Sequence, residues 1–243
     1  HSDLRRQRQM CIRDRSQSKQ ASELINLSKE LQSKQVKPLL TGTVLISHDE
    51  ARSPQEQLPP YTEISEVFYE RVNRKLLILG AIGAGKTTTM FELARELVEQ
   101  ALRDTHQPIP AYFKLSTWAQ DKQSVSDWLI DELGVRGVEK NIAKQWLTEQ
   151  KILPMLDGLD ELKEDLQEPC VKKINKWLKS KDCPSGLVVC SRIENYKKYE
   201  SKLELNGAIS LQPLSDQQIQ NYLNQLDQDL SLIHISEPTR QKP

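Results

Sequence analysis

Short apolar runs alternate along this chain with longer stretches in which apolar residues recur every three or four positions. Runs of the first kind predict buried strands, and stretches of the second kind predict amphipathic helices. Lys75-Leu76-Leu77-Ile78-Leu79 predicts the first core strand, and Thr88 to Gln100 a helix with Met90, Leu93, Ala94 and Leu97 on one face. Ile109 to Leu115 predicts a second strand, Ser124 to Leu133 and Val138 to Gln150 two helices, and Lys151 to Leu156 a third strand. Leu162 to Ser180 is mostly helical in pattern, with Val171, Ile174 and Leu178 on one face. Leu187 to Cys190 reads as a fourth strand, Ala208 to Leu211 as a fifth, and Ser215 to Leu226 as a closing helix capped by Ser215. Strands alternating with helices predict an α/β fold with a mainly parallel sheet covered on both faces.

The first third is less regular. Residues 16–40 are polar, with Leu24, Ile25, Leu27 and Leu31 at roughly helical spacing, and predict a short amphipathic helix. Thr43 to Ser47 reads as a short strand. Residues 48–60, with Pro54, Pro59 and Pro60, read as loop or linker, and Ile64 to Val72 as a short helix. Pro154 sits inside the third strand and cannot donate a ladder hydrogen bond, so either a bulge lies there or pairing begins only at Met155.

The first strand runs into Gly80-Ala81-Ile82-Gly83-Ala84-Gly85-Lys86-Thr87, followed by Thr88. This is the G-x-x-x-x-G-K-[ST] spacing of a phosphate-binding loop, the Walker A motif. Gly80 and Gly85 let backbone N–H groups turn inward where a side chain would block a phosphate. Lys86 has the length to reach the β- and γ-phosphates, and the Thr87 hydroxyl suits Mg²⁺. The phosphate would rest on the N-terminus of the following helix, where free N–H groups and the dipole favour anions.

A second constellation is Leu153-Pro154-Met155-Leu156-Asp157-Gly158-Leu159-Asp160-Glu161-Leu162, an apolar strand ending in carboxylates. Parallel α/β sheets bind ligands beyond the carboxyl ends of their strands. Asp157 is thereby placed to bind Mg²⁺ opposite Thr87, as the Walker B acid. Asp160 and Glu161 are both candidates to activate the attacking water. The fourth strand ends at Ser191-Arg192, and an arginine at that edge has the reach to report the presence of a γ-phosphate.

Bulk properties narrow the rest. The formal net charge is +0 with a pI of about 7.1, which gives no support for a nucleic-acid-binding or membrane-surface patch. No apolar run reaches the roughly 18 residues needed to span a bilayer. Cys11, Cys170, Cys183 and Cys190 form no C-x-x-C pair, and reduced thiols in a cytoplasmic protein are the simplest reading. Trp118, Trp128, Trp146 and Trp177 are expected in the core, His48 and His106 in polar loops, and the Lys172 to Lys181 stretch on a solvated helix face.

The two ends differ from the middle. Met10-Cys11-Ile12-Arg13-Asp14 and Leu230-Ser231-Leu232-Ile233-His234 can both be written as translations of one short DNA element read on opposite strands. That element resembles the transposon-end adapter of shotgun sequencing libraries. Residues 1–15 and 230–243 are therefore expected to be adapter-derived and to carry no function, His234 included.

The phosphate loop, the Asp157-Gly158-Leu159-Asp160-Glu161-Leu162 strand end and Val189-Cys190-Ser191-Arg192 together resemble the NACHT NTPase domain, of the STAND class of P-loop ATPases. Gly158 directly after the first acid and the paired Asp160-Glu161 are its distinguishing marks, and Gln212 to Ile219 is similar to the stretch after its last core strand. The wording of Lys75 to Met90, Trp118 and Asp127-Trp128-Leu129 is similar to bacterial, especially cyanobacterial, members. The sensor stretch departs from the family, which often has threonine before the arginine and proline after it.

The resemblance implies an AAA+-like three-layer sandwich with a mainly parallel five-stranded sheet and the phosphate-loop strand central. It assigns 61–229 to the NTPase domain and 16–60 to an N-terminal helix and linker. It implies a Mg²⁺-dependent, slowly hydrolysing ATPase switch of signal transduction, in which ADP and ATP states hold closed and open arrangements and the ATP state of the full-length protein homo-oligomerises. By the same resemblance Lys86 contacts phosphates, Thr87 and Asp157 hold Mg²⁺, Glu161 or Asp160 serves hydrolysis, and Arg192 is the sensor. The winged-helix, effector and sensor domains of the family are expected outside this chain.

Three other readings compete. A remodelling AAA+ ATPase needs an additional arginine finger and a C-terminal lid, and the sequence places neither. A GTPase needs Asn-Lys-x-Asp after a strand, and the nearest string, Asn175-Lys176-Trp177-Leu178, lacks the Asp and falls in a helical stretch. A nucleotide-binding scaffold without turnover would have lost part of the phosphate or magnesium set, which is present in full.

Overall fold

In the computed structural model, which describes residues 42–45, 55–58, 62–118 and 123–212, every core apolar run becomes a strand. These are β3 (Lys75–Gly80), β4 (Ile109–Lys114), β5 (Ile152–Asp157), β6 (Leu187–Arg192) and β7 (Gly207–Leu211). They lie side by side in the order β7-β3-β6-β5-β4, and every pairing among them is parallel. Two further strands, β1 (Gly42–Leu45) and β2 (Gln55–Gln57), extend the sheet antiparallel beyond β7. The phosphate-loop strand β3 is thus fourth of seven, with parallel neighbours on both sides. The stretch expected to be loop over 48–60 contributes β2, and both added strands carry the sheet past the boundary expected at residue 61. β2 is only three residues long and polar (Gln55-Glu56-Gln57), so no apolar period marks it.

Alternation along each strand divides the core between the two faces. Leu77 and Leu79 of β3, Ala111 and Phe113 of β4, and Leu187 and Val189 of β6 point to one side. Leu76 and Ile78, Leu153 and Met155, and Val188 and Cys190 point to the other. Strands buried on both faces cannot show polar alternation, which is why they appear as unbroken apolar runs. On the second face lie α2 (Lys86–Arg103) and the short α1 (Ile64–Glu66), which continues as a π turn over Val67–Arg71. On the first lie α3 (Val125–Val135), α4 (Lys140–Thr148), α5 (Glu164–Leu178) and α6 (Ile193–Lys198). The result is a three-layer α/β sandwich.

Local signals set most boundaries. Ser124 caps α3 by accepting a 3.0 Å hydrogen bond from the Asp127 N–H. Helix α2 starts at Lys86, before the expected Thr88, because Gly85 takes a left-handed conformation as its N-cap. β6 runs to Arg192, past the apolar run, since its ladder with β3 continues through Ser191 and Arg192. Helix α6 has six mostly polar residues and no readable period. Pro154 lies within β5, where the β4 ladder passes from Ile152 through Asp157, but the β6 ladder begins only at Met155. The expected helices at 16–40 and Ser215 to Leu226 lie outside the described residues.

All four tryptophans are buried on the face that carries α3, α4 and α5. Phe113 is fully buried there, with its ring 5.9 Å from that of Trp128 and the Arg136 guanidinium 5.1 Å from its centroid. Emptying this position removes a large apolar volume that rigid strands cannot refill. Phe113→Ala is expected to lower unfolding free energy by about 3–5 kcal/mol, measured as a shift of the urea midpoint at constant m-value.

Candidate functional site

Because β3, β5 and β6 are parallel, their carboxyl ends emerge at one edge of the sheet, and β6 stands between the other two. The loop Gly80–Lys86 leaves β3 there. Gly83 and Gly85 have φ of 76° and 85°, the left-handed region that side chains resist. A Cβ on Gly80 would come within 3.0 Å of the Ala84 Cβ and 3.3 Å of the Leu211 carbonyl, so a side chain there would have to push the loop or β7 aside. No side chain caps α2. The amides of its first turn, Lys86 to Thr88, have no acceptor within the helix, as an anion site requires. Ile82, at the loop tip, is exposed.

Lys86 turns its Nζ back onto the loop, donating to the Gly80 and Ala81 carbonyls at 3.0 and 2.9 Å. Those carbonyls hold the ammonium against the first two residues of the loop. The Thr87 hydroxyl donates to Asp157 Oδ2 at 2.9 Å, joining the start of α2 to the end of β5 across the intervening strand. Asp157 is buried, and the Tyr112 hydroxyl donates to the same oxygen at 3.3 Å. Burial first, and then the Asp157 carboxylate, push the Tyr112 phenol far above its ordinary range, so it stays a donor. Beneath them lies the buried Cys190 thiol, raised by burial and by Asp157; it remains protonated and inert as a nucleophile.

Mg²⁺ prefers hard oxygen donors, and a hydroxyl and a carboxylate facing each other at hydrogen-bond distance are such a pair. The donor chemistry of Thr87 and Asp157 fits that ion. Among the described residues no cluster of three or more His, Cys, Asp or Glu forms an all-protein metal cage.

After Asp157 the chain turns sharply. Gly158 has φ +79°, and a Cβ there would lie 2.9 Å from Glu161 Cδ and 3.1 Å from Glu161 Oε2. A bare glycine therefore lets the Glu161 side chain fold back over the strand end, within the 3₁₀ turn Leu159–Glu161. The two adjacent carboxylates go to different places. Glu161 is 43% exposed at the rim, 3.5 Å from the Lys114 ammonium. Asp160 is 3% exposed and takes two hydrogen bonds from Arg192, from the backbone N–H to Oδ1 and from Nε to Oδ2, both 2.8 Å. Its own carbonyl accepts from Gln167 Nε2 at 3.2 Å.

Every candidate residue thus lies at one edge: Gly80 to Thr88 after β3, Asp157 at the end of β5, Asp160 and Glu161 in the turn that follows, and Arg192 at the end of β6. Tyr112, Lys114 and Gln167 also belong to this cluster, and no motif marked them. The β4–β5 register, which sets Lys114 opposite Asp157, is the only signal for Lys114, and it is a tertiary one.

No curated protein matches the sequence. Among solved structures, the Orc1 protein of Aeropyrum pernix in complex with DNA is similar at 17% identity and a TM-score of 0.46, covering 68% of this chain and 47% of that one. PCH-2 of C. elegans is similar at 14% identity and a TM-score of 0.41, covering 72% and 45%. The chain therefore spans about half the length of either protein, and similarities this low carry nothing over to its function. The sequence family is the informative comparison: the model of the NACHT domain matches residues 74–229, from the residue before β3 to beyond β7. That is well over half of the sequence and includes the whole parallel sheet with its ligand edge, and so this chain belongs to the NACHT family of P-loop NTPase domains.

Proposed function

We propose that this domain is an ATP-driven switch of signal transduction, binding ATP and Mg²⁺ and hydrolysing the γ-phosphate slowly. The observation that carries the reading is the 2.9 Å hydrogen bond from Thr87 to Asp157, which joins the phosphate loop to the acidic strand end. Triphosphate would lie on the amides of Lys86 to Thr88, cradled by the backbone of Gly80 to Gly85. Lys86 would exchange its two loop carbonyls for phosphate oxygens, its ammonium already being held at the loop. Thr87 and Asp157 would hold Mg²⁺, which supplies charge neutralisation of the phosphates when bound.

Hydrolysis adds water to the γ-phosphorus and expels ADP, so the water must lose a proton as it attacks. Glu161 is the group for that proton: it is exposed at the rim, while the neighbouring Asp160 has both carboxylate oxygens occupied by Arg192. Arg192, at the end of β6 beside the loop, would read the γ-phosphate. The pairing of Gly80 with Arg192 across β3 and β6 supports that role, because it puts the arginine level with the loop's first residue. In the full-length protein the ATP state would favour self-assembly, with effector and sensor domains supplied outside this chain and a cytoplasmic setting for the reduced thiols. Among the described residues, no helix is long and apolar enough to cross a membrane.

Lys86→Ala is expected to abolish binding of a fluorescent ATP analogue at micromolar concentration; an unchanged titration would remove the site. Glu161→Gln should keep nucleotide affinity within about twofold while slowing phosphate release in single-turnover assays by at least about 100-fold. Hydrolysis at the wild-type rate would take the proton-accepting role away from Glu161.

A further inference from the structure

The Asp160–Arg192 contact has a geometry that neither phosphate binding nor proton transfer needs. One buried carboxylate accepts two hydrogen bonds from a single arginine, using one oxygen for its backbone N–H and the other for Nε. The bonds cross from the turn after β5 to the last residue of β6, where the chain passes from strand into α6. Holding Nε fixes the plane of the guanidinium while leaving its two terminal nitrogens, which take no partner among the described residues. Arg192 is 40% exposed although its anchor is 3% exposed, so the guanidinium is tethered at its inner edge and open at its outer one. A carboxylate so placed removes most of the rotamer freedom that an unanchored arginine would lose on meeting a phosphate.

We propose that Asp160 is the positioning residue of Arg192: it orients the guanidinium toward the γ-phosphate and so sets how strongly the domain prefers ATP to ADP. The inference rests on the reading of Arg192 as the γ-phosphate contact. It takes Asp160 out of the chemical step. Gln167 completes the anchor by holding the Asp160 and Leu162 carbonyls at 3.2 and 2.9 Å, so the turn that carries Asp160 is itself braced by α5.

The test compares binding of ADP with binding of the non-hydrolysable β,γ-imido analogue of ATP, both with Mg²⁺, by calorimetry on the whole chain. Asp160→Asn replaces one acceptor oxygen with an N–H₂ donor, so one of the two bonds from Arg192 must be lost. The ratio of the two dissociation constants should shift about tenfold in favour of ADP, with ADP affinity itself unchanged. Arg192→Lys keeps the charge but has no Nε donor in that position, and it should give a shift of the same direction and similar size. The double variant should lose no more than the larger single effect, since both changes break one coupled unit.

Three results overturn the proposal. One is an unchanged ratio in either folded single variant. Another is additive losses in the double variant. The third is hydrolysis reduced as deeply as in Glu161→Gln with the nucleotide preference intact, which would make Asp160 the proton acceptor. A general structural role would lower ADP affinity and the urea midpoint together, leaving the ratio alone. If Asp160→Asn does not fold, Asp160→Glu takes its place: it keeps the charge but moves the carboxylate by one methylene, and an unchanged ratio there overturns the proposal in the same way. Failure of the wild-type chain to bind either nucleotide would instead refute the proposed function, a ratio insensitive to Arg192→Lys would refute the reading of Arg192 on which the inference rests, and a ratio that responds to Arg192→Lys but not to Asp160→Asn refutes this inference alone.

Discussion

The parallel alignment of β3, β6 and β5 is the constraint on which the rest of the molecule depends. Parallel strands need long crossovers, and those crossovers place helices over both faces of the sheet. The strands must therefore be apolar on both sides, which leaves their carboxyl ends as the one place where polar chemistry can gather. β6 between the other two strands sets the spacing there: the phosphate loop on one side, the acidic turn on the other, and Arg192 in the gap. The Thr87–Asp157 hydrogen bond closes this arrangement across the top of β6.

Within that frame, the site has two kinds of acid. Asp157 is held by donors from two other elements, Thr87 of α2 and Tyr112 of β4, and it sits above the buried Cys190 thiol. Asp160 is held by Arg192. Both are buried, and each has its charge compensated by hydrogen bonds, as a buried carboxylate must. Glu161 alone among the three remains at the rim, its nearest cation the half-exposed Lys114. Burial therefore gives different surroundings to carboxylates that stand within five residues of one another in the chain.

Much of the fold was legible because its signals are local. The strands at Lys75, Lys151 and Leu187 were legible as unbroken apolar runs and the helical faces of α2 and α5 from their period, and their ends fell within a few residues of those observed. The glycine at position 85 was readable as a turn residue, though not as the cap that starts α2 earlier. Short polar elements escaped: β2 and α6 lack enough apolar positions to show a period, and they exist because the sheet edge and the end of β6 offer them partners. Pro154 posed a question that only pairing could answer, because a proline's cost in a strand depends on which neighbour would have received its N–H.

By itself the sequence determined that a phosphate loop lies between a buried strand and a helix, that a second strand ends in Asp157, Asp160 and Glu161, and that a third ends in Arg192. Those facts follow from residue type and spacing, which act over a few positions. Tertiary structure decided where each acid points, that Asp160 clasps Arg192, and that Tyr112 and Lys114 join the cluster. The reason is geometric. Directions after Asp157 depend on the left-handed Gly158 and on the register of β5 against β4 and β6, and register is settled by the packing of two whole faces of the sheet.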